Sequence, residues 1–290
     1  MAFQKNGFHT EKIDLFSAKC YHASMLKRIW KGLLELVYPP NCFLCKNFIP
    51  PTEDHTSKNV NEWSSGWDFV PSHFPSREEL CPGCLKLIEY NRPPFCLKCS
   101  RFLGEDIRHP LCKECRLTKP HFDFAWGCCI YKDPLKDLIH KFKYSQKTLL
   151  RHTFLKFIRT FIADYHFDIH QFDFVVPIPL HSSRLRERGY NQSQILALGV
   201  AETFDISLSE HNLIRTRPTK PQIELSQKER WTNIRGAFRI KLPDKFKNKN
   251  ILIIDDLLTT GATASEAAKT LKDAGAGTVG VLTLSVTLEK

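Results

Sequence analysis

The stretch Ile251–Ser265, ILIIDDLLTTGATAS, decides how the rest of the chain is read. Four branched aliphatics run into two adjacent aspartates, and threonines, a glycine and a serine follow at once. A short, continuous apolar run bounded by polar residues is the pattern of a strand buried on both faces, as in a parallel sheet. A strand over Ile251–Ile254 places Asp255 and Asp256 at its C-terminal end, where an open parallel sheet has its binding crevice. A helix is expected to begin near Ala262 or Thr263, and the N–H groups at a helix start seat phosphate. Gly261 lets the backbone approach closely, and the hydroxyls of Thr259, Thr260 and Thr263 can donate to phosphate oxygens. Ionised carboxylates only accept hydrogen bonds, which suits the two hydroxyls of a diol. The ligand described by these residues is a ribose 5-phosphate, with its diol on Asp255 and Asp256 and its phosphate on Thr259–Thr263. A capped helix after a strand would explain one threonine, but not two charges at a buried strand end.

The neighbouring sequence supplies the sheet. Residues 122–131, 172–180, 251–256 and 278–286 read as strands, and 133–144, 149–166, 192–204 and 263–275 as helices. Strands alternating with helices imply an α/β fold, a parallel sheet flanked by helices. After the strand at 172–180 come Arg184, Arg186 and Arg188, ahead of GYNQS. Guanidinium groups bind a diphosphate through paired hydrogen bonds, so Arg184 and Arg188 are the candidates for pyrophosphate. Residues 215–238 mix proline, glutamine and basic residues without periodicity and read as a mobile lid.

Upstream the chemistry changes. Eight of the 11 cysteines fall in four Cys-x-x-Cys pairs: Cys42/Cys45, Cys81/Cys84, Cys96/Cys99 and Cys112/Cys115. No apolar leader with a small-residue cleavage site opens the chain, which points to the cytoplasm, where paired cysteines bind metal rather than form disulfides. Two knuckles per tetrahedral Zn²⁺ predict Cys42, Cys45, Cys81 and Cys84 on one ion and Cys96, Cys99, Cys112 and Cys115 on another; an interleaved pairing is the alternative. Cys20, Cys128 and Cys129 stand outside this spacing, and at least one of the last two is expected in the core. The expected organisation is a tail with an amphipathic helix (1–41), a double zinc ribbon (42–118) and an α/β domain (119–290). The long segment between Cys45 and Cys81 reads as a loop or insertion.

Net charge is +11, and residues 181–250 hold 14 Lys+Arg against 7 Asp+Glu. A basic segment beside the aspartates fits a polyanion, either nucleic acid or a phosphorylated small molecule. No apolar run is long enough for a transmembrane segment.

The run DDLLTTGATAS resembles the phosphoribosyl-pyrophosphate signature of type I phosphoribosyltransferases. Taken with PIPLHSSRLRERGYNQS, RTRPTKPQIELSQKERWTNIRGAF, LLELVYPPNCFLC and the cysteine pairs, the chain resembles the competence protein F family from about Leu33 to Val286. The resemblance implies a double zinc ribbon joined to a phosphoribosyltransferase-like domain, and a role in natural transformation with imported single-stranded DNA and the DNA-uptake proteins. It implies phosphoribosyl pyrophosphate with Mg²⁺ as ligand, and Asp255 and Asp256 as the catalytic residues that hold the ribose. Two other functions remain open: a phosphoribosyltransferase of nucleotide metabolism without a DNA role, and a zinc-ribbon adaptor without catalysis.

Overall fold

The computed structural model describes residues 41–49, 79–104, 109–219 and 226–288. Cys20, the expected helix within 1–41 and most of the 46–80 segment lie outside them. The chain divides into two units, one of residues 1–42 and 46–78, the other of 43–45 and 79–290.

In the first unit, Asn41 bridges Phe48, and the Cys42 N–H donates to Asn47 O at 2.9 Å. The Lys46 N–H donates to Cys42 O at 3.0 Å, with Lys46 left-handed at φ 65°. The second unit repeats this turn at the same offsets. Phe95 bridges Phe102, the Cys96 N–H donates to Arg101 O at 2.8 Å, the Ser100 N–H donates to Cys96 O at 2.8 Å, and Ser100 has φ 52°. The other two cysteine pairs open short helices, α1 (Pro82–Leu85) and α2 (Lys113–Thr118). In each, the first sulfur accepts the backbone N–H of the second cysteine, at 3.4 Å for Cys81 and 3.5 Å for Cys112.

From Phe124 onward the expected alternation appears. In chain order the elements are β1 (Phe124–Ile130), α3 (Leu135–Tyr144), α4 (Leu150–Asp164), β2 (Phe174–Pro177), α5 (Ser182–Arg188), α6 (Gln192–Phe204) and β3 (Ser207–Leu208). They continue with β4 (Leu213–Arg215), α7 (Gln227–Ile234), β5 (Phe238–Ile240), β6 (Ile251–Leu258), α8 (Ala262–Asp273) and β7 (Val279–Val286). Among the described residues, five strands form a parallel sheet in the order β1-β7-β6-β2-β3, and β4 pairs antiparallel with β5. All eight residues of β7 are buried, as are Ile251–Ile254, so the central strands read as unbroken apolar runs. Ile251, Ile253, Val279 and Val281 share a core with Ala264, Ala267, Ala268 and Leu271 of α8. Strand residues alternate between faces, so Leu252 and Ile254 point the other way, where α6 packs on β6 and β2. Both Cys128 and Cys129 are buried in β1.

One expectation needs correction. The strand does not stop at the aspartates: β6 runs on through Leu258, and Leu257 and Leu258 pair with Ser285 and Val286. The apolar step after the acids extends the ladder rather than starting the loop. The segment 215–238, read as a lid, is built of short elements. It closes β4, opens β5 and contains α7, whose Ser226 cap accepts the Glu229 N–H while Glu229 accepts the Ser226 N–H. Residues 220–225 of that segment lie outside the described ones.

Candidate functional site

The connection β6-α8-β7 leaves to one side of β6, and β2-α6-β3 leaves to the other. The C-terminal ends of β6 and β2 thus flank the point where the winding reverses, which is where such sheets bind ligands. A cavity of about 590 Å³ opens there. Asp255, Thr259, Gly261 and Thr263 line it, as do Arg184 and Arg188, brought in from a distant stretch of sequence. Arg184 and Arg188 sit four apart on α5 and so share a face. Arg186 is exposed and does not line the cavity. Thr260 and Ala262 are buried behind the loop; Thr260 Oγ1 accepts the Ala262 N–H at 3.3 Å and so secures the start of α8. Gly261 takes φ 80°, a conformation that a side chain would strain.

The two aspartates have different surroundings. Asp256 is buried and forms an ion pair with Lys143 of α3. Gln192 Nε2 donates to Asp256 Oδ1 at 3.0 Å, and Gln192 Oε1 in turn accepts from Arg188. Asp255 faces the cavity, with Ser193 Oγ donating to its Oδ1 at 2.7 Å and the Asp256 N–H at 2.9 Å. Burial and the adjacent Asp256 carboxylate push the Asp255 carboxyl up to about 7. Burial acts on Asp256 in the same direction, but the Lys143 ammonium outweighs it and holds Asp256 below the usual carboxylate range. Burial also works to lower Lys143, and the two carboxylates overcome it, so its pKa is raised. Both aspartates line the cavity; Asp256 is the charged anchor already paired with Lys143, and Asp255 is the more exposed acid.

Sequence reasoning missed Lys143, Gln192 and Ser193. A signal existed for the first: on α3 the apolar residues Leu135, Ile139 and Phe142 mark the buried stripe, and Lys143 lies on its edge. Gln192 and Ser193 are set by the cap of α6, where Asn191 Oδ1 accepts the Ser193 N–H at 3.1 Å and Asn191 Nδ2 donates to Ile178 O at 3.0 Å. Further cations reach the cavity from Lys136, Arg215 and Arg230.

Among the described residues, two groups of four cysteines bring their sulfurs within 4.8 Å of one another: Cys42, Cys45, Cys81 and Cys84, and Cys96, Cys99, Cys112 and Cys115. This is the sequential pairing, not the interleaved one. A tetrahedral zinc centre with bonds of about 2.3 Å sets its sulfurs about 3.8 Å apart. Cys45 and Cys81 stand at 3.7 Å, and Cys99 and Cys112 at 3.6 Å. Each group fits one Zn²⁺ in a closed, structural site. The second is buried at all four positions.

DNA utilization protein YhgH of Escherichia coli K12 is 30% identical over 225 residues, 72% of this chain and 97% of that protein. Competence protein ComFC of Bacillus subtilis is 30% identical over 208 residues, 68% of this chain and 80% of its own. Competence protein F of Haemophilus influenzae is 29% identical over 204 residues, 69% and 87% of the two chains. The chain belongs to the competence protein F family. No protein-family model matches it. Among solved structures, glutamine phosphoribosylpyrophosphate amidotransferase of B. subtilis aligns with 38% of this family member and 22% of its own chain, at 24% identity and a TM-score of 0.27. So low a score carries no argument. Among the described residues, no helix is long and apolar enough to cross a membrane.

Proposed function

We propose that this competence protein F family member binds phosphoribosyl pyrophosphate, or a related sugar phosphate, and acts in the cytoplasm on imported single-stranded DNA with the DNA-uptake proteins. One observation carries the ligand. Asp255, the loop residues Thr259, Gly261 and Thr263, and the Arg184–Arg188 face meet in a single cavity at the reversal point of the sheet. Asp255 accepts the ribose hydroxyls, the loop takes the 5′-phosphate, and the two arginines neutralise the diphosphate. Mg²⁺ would come with the ligand and offset part of its diphosphate charge, as that ion commonly keeps few protein ligands. The names of the relatives, which concern competence and DNA utilization, support the DNA role. On this reading residues 42–118 form the double zinc ribbon and 119–290 the phosphoribosyltransferase-like domain.

If the ligand reacts, an acceptor attacks the ribose C1 as the bond to pyrophosphate breaks, and the protein contributes positioning and charge stabilisation. A second reading, ligand binding without turnover, is favoured by Asp256, whose carboxylate is already taken by Lys143 and Gln192. Calorimetry with phosphoribosyl pyrophosphate and Mg²⁺ tests the pocket. The wild-type chain should bind, and Asp255→Asn, which loses a charge-assisted hydrogen bond of about 1.5–3 kcal/mol, should bind at least tenfold more weakly. No heat from the wild type would remove the proposal. Pyrophosphate release on adding candidate acceptors separates turnover from binding alone.

A further inference from the structure

Arg101 follows the Cys96–Cys99 knuckle and is only 3% exposed, unusual for an arginine. Its Nη2 donates to the backbone carbonyl of Thr259, in the loop between β6 and α8. The knuckle fixes the backbone of Arg101 through the hydrogen bond from the Cys96 N–H to Arg101 O, and it is itself clamped to the edge strand β1. The Gly127 N–H donates to Ser100 Oγ at 2.8 Å, and Asn91 Nδ2 donates to Ser100 O at 2.7 Å and to Gly127 O at 3.0 Å. Two further contacts link the same region to the loop. The Lys98 ammonium stands 5.8 Å from the centre of the Phe122 ring, and that ring lies within 3.6 Å of where a β-carbon on Gly261 would be. The His121 N–H donates to Ser265 Oγ at 3.0 Å, in the first turn of α8.

We infer that Arg101 is a positioning residue that couples the metal-binding knuckle to the phosphate loop, so that occupancy of the Cys96, Cys99, Cys112 and Cys115 group sets the affinity for a sugar phosphate. The ligand half of this inference rests on the function proposed above. The physical route is one peptide unit. The Thr259 carbonyl shares its peptide with the Thr260 N–H, which in a trans peptide points the opposite way, away from Arg101. A guanidinium on the carbonyl fixes the plane of that peptide, and with it the course of the loop from Thr259 to Gly261, both of which line the cavity. Without metal, four crowded thiols lose the bond that holds the knuckle in shape, and Arg101 loses its fixed base.

Three chains test this: wild type, Arg101→Ala and Arg101→Lys, each full length. Metal content, amide exchange of residues 259–263 without ligand, and calorimetry with ribose 5-phosphate are read on each. The expected result is wild-type metal content in Arg101→Ala, faster exchange across 259–263 and about tenfold weaker binding, the loss of one hydrogen bond to a charged group. Arg101→Lys should recover part of both, and stripping metal from the wild type should reproduce the faster exchange. Wild-type exchange in Arg101→Ala and in the stripped chain would overturn the coupling. So would metal loss in Arg101→Ala without recovery in Arg101→Lys, which marks a purely structural arginine. Failure of the wild type to bind ribose 5-phosphate would count against the ligand reading alone, because the exchange measurement needs no ligand.

Discussion

Lys143 and Asp256 are held to each other across the top of the sheet, and removing either leaves the other, a half-buried ammonium or a buried carboxylate, without its counter-charge. Asp256→Ala should therefore cost about 3 kcal/mol in urea denaturation at pH 7. Asp255→Asn should do the reverse. The fold raises Asp255 to about 7 from an ordinary 3.8, so the folded state binds the extra proton between those values. Stability then falls as pH climbs through that window, and the loss is complete above it. The asparagine variant should be more stable than wild type at pH 8, by up to about 4 kcal/mol, with the difference vanishing near pH 3. Ligand affinity should run the other way. A diol needs the ionised carboxylate, so binding should strengthen from pH 6 to pH 8 in the wild type and stay flat in Asp255→Asn. In the sequence the two acids look alike. Consecutive strand residues turn to different neighbours, and nothing local in DDLL names Lys143 or Ser193 as those neighbours.

Elements announce themselves in proportion to their length and burial. The central strands β6 and β7 were plain because parallel strands covered on both faces need unbroken branched aliphatics. By contrast, β3 has two residues and β4 and β5 three each, too short to show a period. The polar helix α7 is secured by its capping box rather than by an apolar stripe, which is why its segment read as a lid. At the edge, β1 approaches β7 through Gly127, where an added β-carbon would stand 2.5 Å from Val286 Cβ and 3.0 Å from the Val286 backbone nitrogen. Backbone cannot yield as a side-chain tip does. Gly127→Ala should lower stability by about 1–3 kcal/mol, visible as a lower melting temperature with the parallel sheet still formed.

Over the whole molecule, charge and metal are distributed unevenly. The excess of Lys and Arg gathers in residues 181–250, and Arg184, Arg188, Arg215 and Arg230 of that segment turn into the cavity. Binding to single-stranded DNA through such a surface must weaken steeply with salt, giving a straight line of log affinity against log salt. Arg186→Ala, at an exposed position outside the cavity, should flatten that slope while leaving sugar-phosphate binding unchanged. The same slope in both chains would move the DNA path elsewhere. The cysteine arrangement has a further use at this scale. Cys128 and Cys129 are sealed inside β1 with thiols pushed well up by burial, so an alkylating reagent finds them inert. The other described cysteines all belong to the two tetrads. With Cys20 replaced by serine, colour from a thiol dye on the native chain is then a gauge of ion loss, rising in steps of four as each centre empties.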